Sequence, residues 1–191
     1  MGYADAGFTG SQDIKTPNLD EIAASGMVFK QGYVTHPYCG PSRAGLLSGR
    51  YQHRFGFETN PAYDPGNSVI GIDPDEKLFP ERLKEAGYVT GCIGKWHLGD
   101  QPEFLPRRQG FDYYFGLPYS NDMWPHHPTS NRYPDLPLIE GERVVEYNPD
   151  QTQLTTWYTE RSVRFIEKNK EKPFFLYMPH YAPHTPLIAK P

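Results

Sequence analysis

Helical and extended apolar runs alternate along this chain, and the alternation predicts an α/β fold: a mainly parallel sheet with helices on both faces. Three observations carry the prediction. Pro and Gly mark the starts and stops of the amphipathic stretches. Short runs rich in Tyr, Phe, Val and Ile follow those stretches within a few residues. Polar residues able to do chemistry come directly after several of the runs, and ligands of α/β sheets bind at strand carboxyl ends. The 191 residues suffice for one substantial core. The hydrophobic share is only 37%, but 14 Tyr and 11 Phe supply large side chains. The 20 Pro and 18 Gly imply many loops and exclude a helical bundle.

The elements follow in order. Residues 16–26 read as a helix capped by Thr16, with Pro17 at its first position, acids in its first turn and Gly26 as its stop. Met27 to Val34, with aromatic and β-branched residues, reads as a strand. Pro41 suits the first turn of a second helix, which runs through Arg43 to Ser48 and ends at Gly49 in a left-handed conformation. Tyr51 to Asp75 is loop. Leu78 to Ala86 is a helix stopped by Gly87, with Phe79, Leu83 and Ala86 near one face. Tyr88 to Ile93 is a strand. Residues 99–150 show no sustained period and read as an irregular excursion with one short hairpin around Leu138 to Val145. Gln151 to Asn169 is the strongest helical pattern, with Leu154, Trp157, Tyr158, Val163 and Ile166 as its apolar contacts. Pro173 breaks it, and Phe174 to Met178 is a buried strand. No internal repeat or low-complexity tract is visible.

Composition excludes several function classes. A net charge of −4 gives no electrostatic reason to bind nucleic acid. No apolar run reaches the length of a membrane span, and no signal peptide is visible. Two cysteines cannot build a disulfide framework.

The chemistry concentrates in two motifs. The first is Cys39-Gly40-Pro41-Ser42-Arg43, followed by Leu47-Ser48-Gly49-Arg50. Cys39 is presented at a helix N-terminus, where backbone N–H groups and the macrodipole favour an anion, and Arg43 can reach back one turn. The second is Gly87-Tyr88-Val89-Thr90, followed by Gly94-Lys95-Trp96-His97. A further segment, Met178 to Leu187, carries His180 and His184 among three prolines. For each residue taken singly a plainer role competes: a buried small thiol for Cys39, a solvated lysine for Lys95, a structural histidine for His97.

Together the motifs resemble the two signatures of the type I sulfatases, in the right order. The resemblance implies an alkaline-phosphatase-like fold and a sulfuric ester hydrolase acting on a sulfated sugar or glycan, or an aryl sulfate. It implies that Cys39 is converted after synthesis to formylglycine by dedicated machinery. The hydrated aldehyde is then the nucleophile on sulfur, and it also contributes an oxygen to a bound calcium ion. Arg43 would hold the modified side chain, Lys95 a sulfate oxygen, and His97 would orient the nucleophile or act as base. His184 would protonate the leaving oxygen, with His180 the weaker choice; a zinc site from these two is disfavoured by non-helical spacing. Leu117 to Asp122 resembles a segment that places a serine, here Ser120, near the sulfate; a turn-forming serine is the plainer reading.

The resemblance covers residues 1–191 as the N-terminal part of a catalytic domain, truncated at both ends. Most calcium ligands would then lie elsewhere, so this chain alone is expected to lack turnover. Members of the family are periplasmic, secreted or lysosomal. Arg107, Arg108, His126, His127, Arg132 and Arg143 lie among aromatics in the excursion. Of these, His127 and Arg132 are the candidates for binding an anionic glycan, against a reading as solvated rim. Two alternatives stay open: a phosphonate or phosphate ester hydrolase of the same superfamily, and a non-catalytic fragment that binds sulfated glycans.

Overall fold

A computed structural model describes residues 2–188; Met1 and residues 189–191 lie outside it. The chain divides into two units, one up to Tyr33 and one from Val34 onward.

The first unit is a short 3-10 turn, Gly7–Thr9, and helix α1, Pro17–Ser25. Thr16 precedes α1 but does not cap it. Its hydroxyl accepts the Gly7 N–H (2.8 Å) and donates to Asp20 (2.9 Å), so the oxygen is spent on tying the turn to the helix. The strand expected over Met27 to Val34 does not form. Met27, Phe29, Tyr33 and Val34 are exposed, and β-propensity expresses packing against neighbouring strands, which this segment lacks among the described residues.

The second unit holds the sheet. Helix α2, Cys39–Ser48, starts two residues earlier than its proline suggested, and Gly49 ends it in the left-handed region (φ 67°) as expected. Helix α3, Phe79–Glu85, has Glu81 accepting the Leu78 N–H (2.9 Å), and Gly87 (φ 88°) turns the chain into strand β1, Val89–Ile93. Leu78 and Pro80 face the core there, whereas Ala86 is exposed because the helix has already ended.

The excursion contains a strand the sequence did not disclose, β2, Tyr113–Gly116. It is only four residues long, too short to show a period, and the β1 edge decides it. The expected hairpin is present as β3, Pro137–Glu140, and β4, Arg143–Tyr147. Helix α4, Leu154–Asn169, then leads to β5, Phe174–Tyr177.

The strand order is β4-β3-β2-β1-β5. β1 pairs in parallel with β2 and β5, while β2-β3 and β3-β4 are antiparallel, so the sheet is mixed. α4 separates β5 from the strands before it, whereas β1 and β2 are joined through two short 3-10 turns, Pro102–Phe104 and Pro106–Arg108; the hairpin adds the antiparallel half.

The side-chain alternation of the strands sends residues to two cores, one on each face. Cys92 and Tyr114 join Ala44, Leu47 and Leu78 from the α2 and α3 side. Ile93 and Phe115 join Leu154, Tyr158 and Phe165 from α4. Leu154, Tyr158, Ser162, Phe165 and Asn169 form the buried stripe of α4, at steps of four and three. Val163 and Ile166, expected on that stripe, are largely exposed, being rotated off it by one residue.

Candidate active site

Because β5, β1 and β2 are adjacent and parallel, their carboxyl ends lie on one sheet edge. β1 runs on past Ile93, laced on both sides. Gly94 N–H donates to Phe115 O (2.8 Å), Lys95 N–H to Pro179 O (2.9 Å), Trp96 N–H to Leu117 O (2.9 Å) and His97 N–H to Pro118 O (2.8 Å). The ladder thus delivers Lys95 and His97, Ser120 after β2, and His184 after β5 to the same place. Cys39 arrives at the first turn of α2, the helix N-terminus expected for it, although the strand expected before it is absent. Gly40 holds that turn, its N–H donating to Asn60 Oδ1 (2.8 Å).

Cys39 is partly buried among nitrogen-bearing groups. Hydrogen bonding to His184, opposed by desolvation and aided by the Lys95 charge, brings its thiol down to about 4. Lys95 is 2% exposed, and its ammonium donates to Ser120 Oγ (3.1 Å). Burial pushes its pKa down, with the Arg43 charge adding to that and Cys39 opposing it. Arg43 lies one turn below Cys39, and its hydrogen bonds go to the Lys95 carbonyl (2.6 Å) and the Tyr177 hydroxyl (3.4 Å).

His97 is fully buried, with an unusual backbone φ of 66° for a non-glycine residue. Its Nε2 lies 2.9 Å from Pro61 O. A carbonyl only accepts, so Nε2 carries the proton and Nδ1 is left as a buried acceptor without a hydrogen-bond partner. Burial holds the ring below the usual histidine range, hence neutral. His184 is the opposite case: its bond to Cys39 raises its pKa against the effect of burial. Its Nδ1 donates to Thr185 O (2.6 Å), which leaves Nε2 for Cys39. His180 is exposed.

One reactivity test follows. Iodoacetamide at pH 6 is expected to label Cys39 about threefold faster than an ordinary thiol, the larger thiolate fraction outweighing its weaker nucleophilicity. Cys92, fully buried and with its pKa pushed up by desolvation, should stay unlabelled. The Cys39 rate should hold constant from neutral pH down and fall only near pH 4. A rate that drops tenfold per pH unit below 8 would mean an unperturbed thiol.

The remaining candidates lie further out. His127 Nε2 is 3.7 Å from Asp122 Oδ2, and its ring meets Tyr133 at 5.2 Å. Arg132 lies over the Tyr133 ring (4.9 Å) and lines an open hollow with Tyr63, Asp64 and Pro134. Arg107, Arg108 and Arg143 line a different hollow beside Glu140 and Glu142. Several signature residues prove to be scaffold. Thr90 donates to Gly110 O (2.7 Å), Trp96 Nε1 donates to Phe104 O (2.8 Å), and Arg50 pairs with Glu76 (2.6 Å).

The residues present do not fit a calcium site. No group of three or more His, Cys, Asp or Glu side chains able to hold a metal occurs among the described residues. Around Cys39 the donors are an ammonium and two imidazoles, unsuited to a hard cation that takes oxygen ligands. No calcium-dependent step is therefore assigned to them.

The family model for sulfatases matches residues 1–191. The chain belongs to the sulfatase family. It is 40% identical to the N-acetylgalactosamine-6-sulfatase of Canis lupus familiaris, over 99% of this chain and 39% of that protein. It is 39% identical to the arylsulfatase G of Rattus norvegicus, over 100% of this chain and 40% of that protein. The crystal structure of Ps i-CgsB in complex with k-i-k-neocarrahexaose superposes with a TM-score of 0.79 at 38% identity. That match covers 97% of this chain and 44% of that one. The sulfatase fold thus agrees with the α/β class expected from sequence. The chain spans about 40% of the length of these curated relatives.

Proposed function

We propose that this chain is the N-terminal part of a sulfatase catalytic domain and that the whole protein hydrolyses the sulfate ester of a sulfated carbohydrate. The observation that carries the reading is the convergence of Lys95, His97 and His184 on residue 39 at a helix N-terminus. Two protonatable groups and a helix N-terminus facing one point suit a bound sulfate.

Formylglycine at residue 39 would supply a hydroxyl nucleophile and, afterwards, a route to expel sulfate by return to the aldehyde. The buried, unpartnered Nδ1 of His97 fits such a group, since a hydroxyl can donate to it where a thiolate cannot. His97 thereby orients the nucleophile and serves as base. Lys95 neutralises a sulfate oxygen, and Ser120 keeps the ammonium aimed. Arg43 holds the Lys95 carbonyl and so the loop that carries both Lys95 and His97. His184 is positioned to protonate the leaving oxygen. His127 and Arg132 are proposed to contact the anionic sugar beyond the scissile ester. The likeness to N-acetylgalactosamine-6-sulfatase and to a carrahexaose-bound structure supports a glycan substrate.

The test is mass spectrometry of the peptide containing residue 39, from the whole protein made beside formylglycine-generating machinery, with hydrolysis of a nitrophenyl sulfate measured on the same preparation. Formylglycine together with turnover is the expected result. An unmodified thiol in an active preparation would overturn the mechanism. Turnover of a phosphate ester in place of the sulfate would move the chain to the phosphoesterase reading.

A further inference from the structure

The end of the sheet opposite the candidate active site carries a concentration of positive charge that none of these roles uses. Val89 opens β1, Tyr113 opens β2, and Asn169 ends α4 shortly before β5, so the hollow lined by these three lies at the amino ends of the strands. It measures about 360 Å³ and also holds Arg161, Arg164 and Lys168. Those cations follow one another on α4 at steps of three and four, directly beside the buried stripe of Ser162, Phe165 and Asn169. A second hollow of about 500 Å³ holds Arg107, Arg108 and Arg143 around the hairpin turn at Gly141. Glu140, the last residue of β3, lines both, so the two share a wall.

The carboxylates of this band are already engaged. Glu140 accepts the Tyr113 hydroxyl (2.9 Å) and faces Arg161 (3.6 Å), Glu142 is held by Arg108 (2.8 Å), and Asp112 by Lys84 (2.7 Å). Arg164 faces Glu160 at 3.7 Å. Arg107, Arg143 and Lys168 are exposed, and among the described residues no ion pair or side-chain hydrogen bond occupies them. Across the two hollows six cations meet three carboxylates, in a chain whose net charge is −4. One exposed cation attracts an anion weakly. Several in a row hold a polyanion firmly, because every contact after the first is intramolecular. Guanidinium forks match the oxygens of a sulfate as they match those of a phosphate.

We infer that this band is a second, non-catalytic binding site for a sulfated polysaccharide. It holds the polymer at the amino ends of the strands, about 15 Å from the carboxyl ends where the candidate active site lies, the length of a strand of four or five residues. Two adjoining open hollows suit successive sulfates along one chain, and neither encloses a small ligand. The inference rests on the sulfatase reading for the class of anion; binding itself is tested without turnover.

The experiment compares the whole protein with a variant carrying Arg107→Gln, Arg143→Gln and Lys168→Gln. Binding to immobilised dextran sulfate is measured across a salt series, with unsulfated dextran and duplex DNA as the other surfaces. The variant is expected to bind dextran sulfate about tenfold more weakly at low salt, with a shallower salt dependence. Its turnover of nitrophenyl sulfate is expected to be unchanged. A second variant, Lys15→Gln, Lys30→Gln and Arg82→Gln, makes the same change in net charge outside both hollows and should bind like the parent. Equal binding by the first variant and the parent, or equal weakening in both variants, would overturn the inference. So would duplex DNA or unsulfated dextran bound as tightly as dextran sulfate. Should the first variant fail to fold, acetylation of the parent decides: dextran sulfate must slow modification of Lys168 more than that of Lys30, and equal protection would overturn the inference too. A protein that binds dextran sulfate through the band yet hydrolyses no sulfate ester would sink the functional reading and leave this site standing.

Discussion

Lys95→Ala in the active enzyme is expected to lower kcat/KM for a sulfate ester about a hundredfold, on the order of 3 kcal/mol of transition-state stabilisation, by analogy with removal of a single oxyanion donor. The ammonium is 2% exposed and held on Ser120 Oγ at 3.1 Å, so it needs no reorganisation to meet charge that develops on the sulfate oxygens. Burial strengthens that interaction and at the same time depresses the lysine pKa, an effect that Cys39 and Asp122 counter. Alanine also leaves a cavity beside β1, so a second variant separates the causes. Lys95→Met keeps most of the volume and removes the charge. Equal loss in both variants assigns the effect to charge. Near-normal turnover in Lys95→Met would make Lys95 a packing residue and remove the main anion ligand from the proposed site.

Gly116→Ala is expected to destabilise the fold by about 3 kcal/mol, at the upper end of ordinary overpacking and a large share of a typical domain's stability. Gly116 is the last residue of β2, and a methyl group there would overlap the carbonyl of Gly94. Gly94 in turn has φ 133°, and a side chain on it would strike the Pro179 carbonyl. The three chain segments leaving β2, β1 and β5 are therefore pressed together with backbone against backbone, and no flexible side chain is available to give way. The midpoint of a urea or guanidinium transition measures the effect. A loss below about 1 kcal/mol would show that the strands can part at low cost. The same contact has a functional side. Separating these segments would draw Ser120 and His184 away from Lys95, so a surviving Gly116→Ala protein should also show altered Cys39 alkylation.

The site was legible in sequence wherever it followed a readable strand. Lys95 and His97 came directly after β1, and His184 after β5, so an apolar run followed by polar residues was enough to nominate them. Cys39 was nominated by its motif, although the strand thought to precede it is absent. The β2 strand was hidden by its length and composition. Tyr113 to Gly116 is short and apolar throughout, with one face on each core, and so lacks the alternation that marks a half-buried strand. Val163 and Ile166 were placed on the wrong side of α4 because apolar character alone does not distinguish two adjacent helical stripes. The polar Ser162 and Asn169 occupy the buried one.

By itself the sequence determined the α/β class, the helix stops marked by Gly49 and Gly87, the closing hairpin, and the chemical types gathered near Cys39. These are local properties, written in backbone freedom, periodicity and residue chemistry over a few positions. Only the tertiary structure decided the mixed strand order, the neutral state of buried His97 against the protonation favoured at His184, and the scaffold roles of Thr90, Trp96 and Arg50. Those depend on which groups lie within a few ångströms across long stretches of chain. Desolvation and Coulomb energies are set by that distance and by burial, and neither is encoded in the spacing of residues along the sequence.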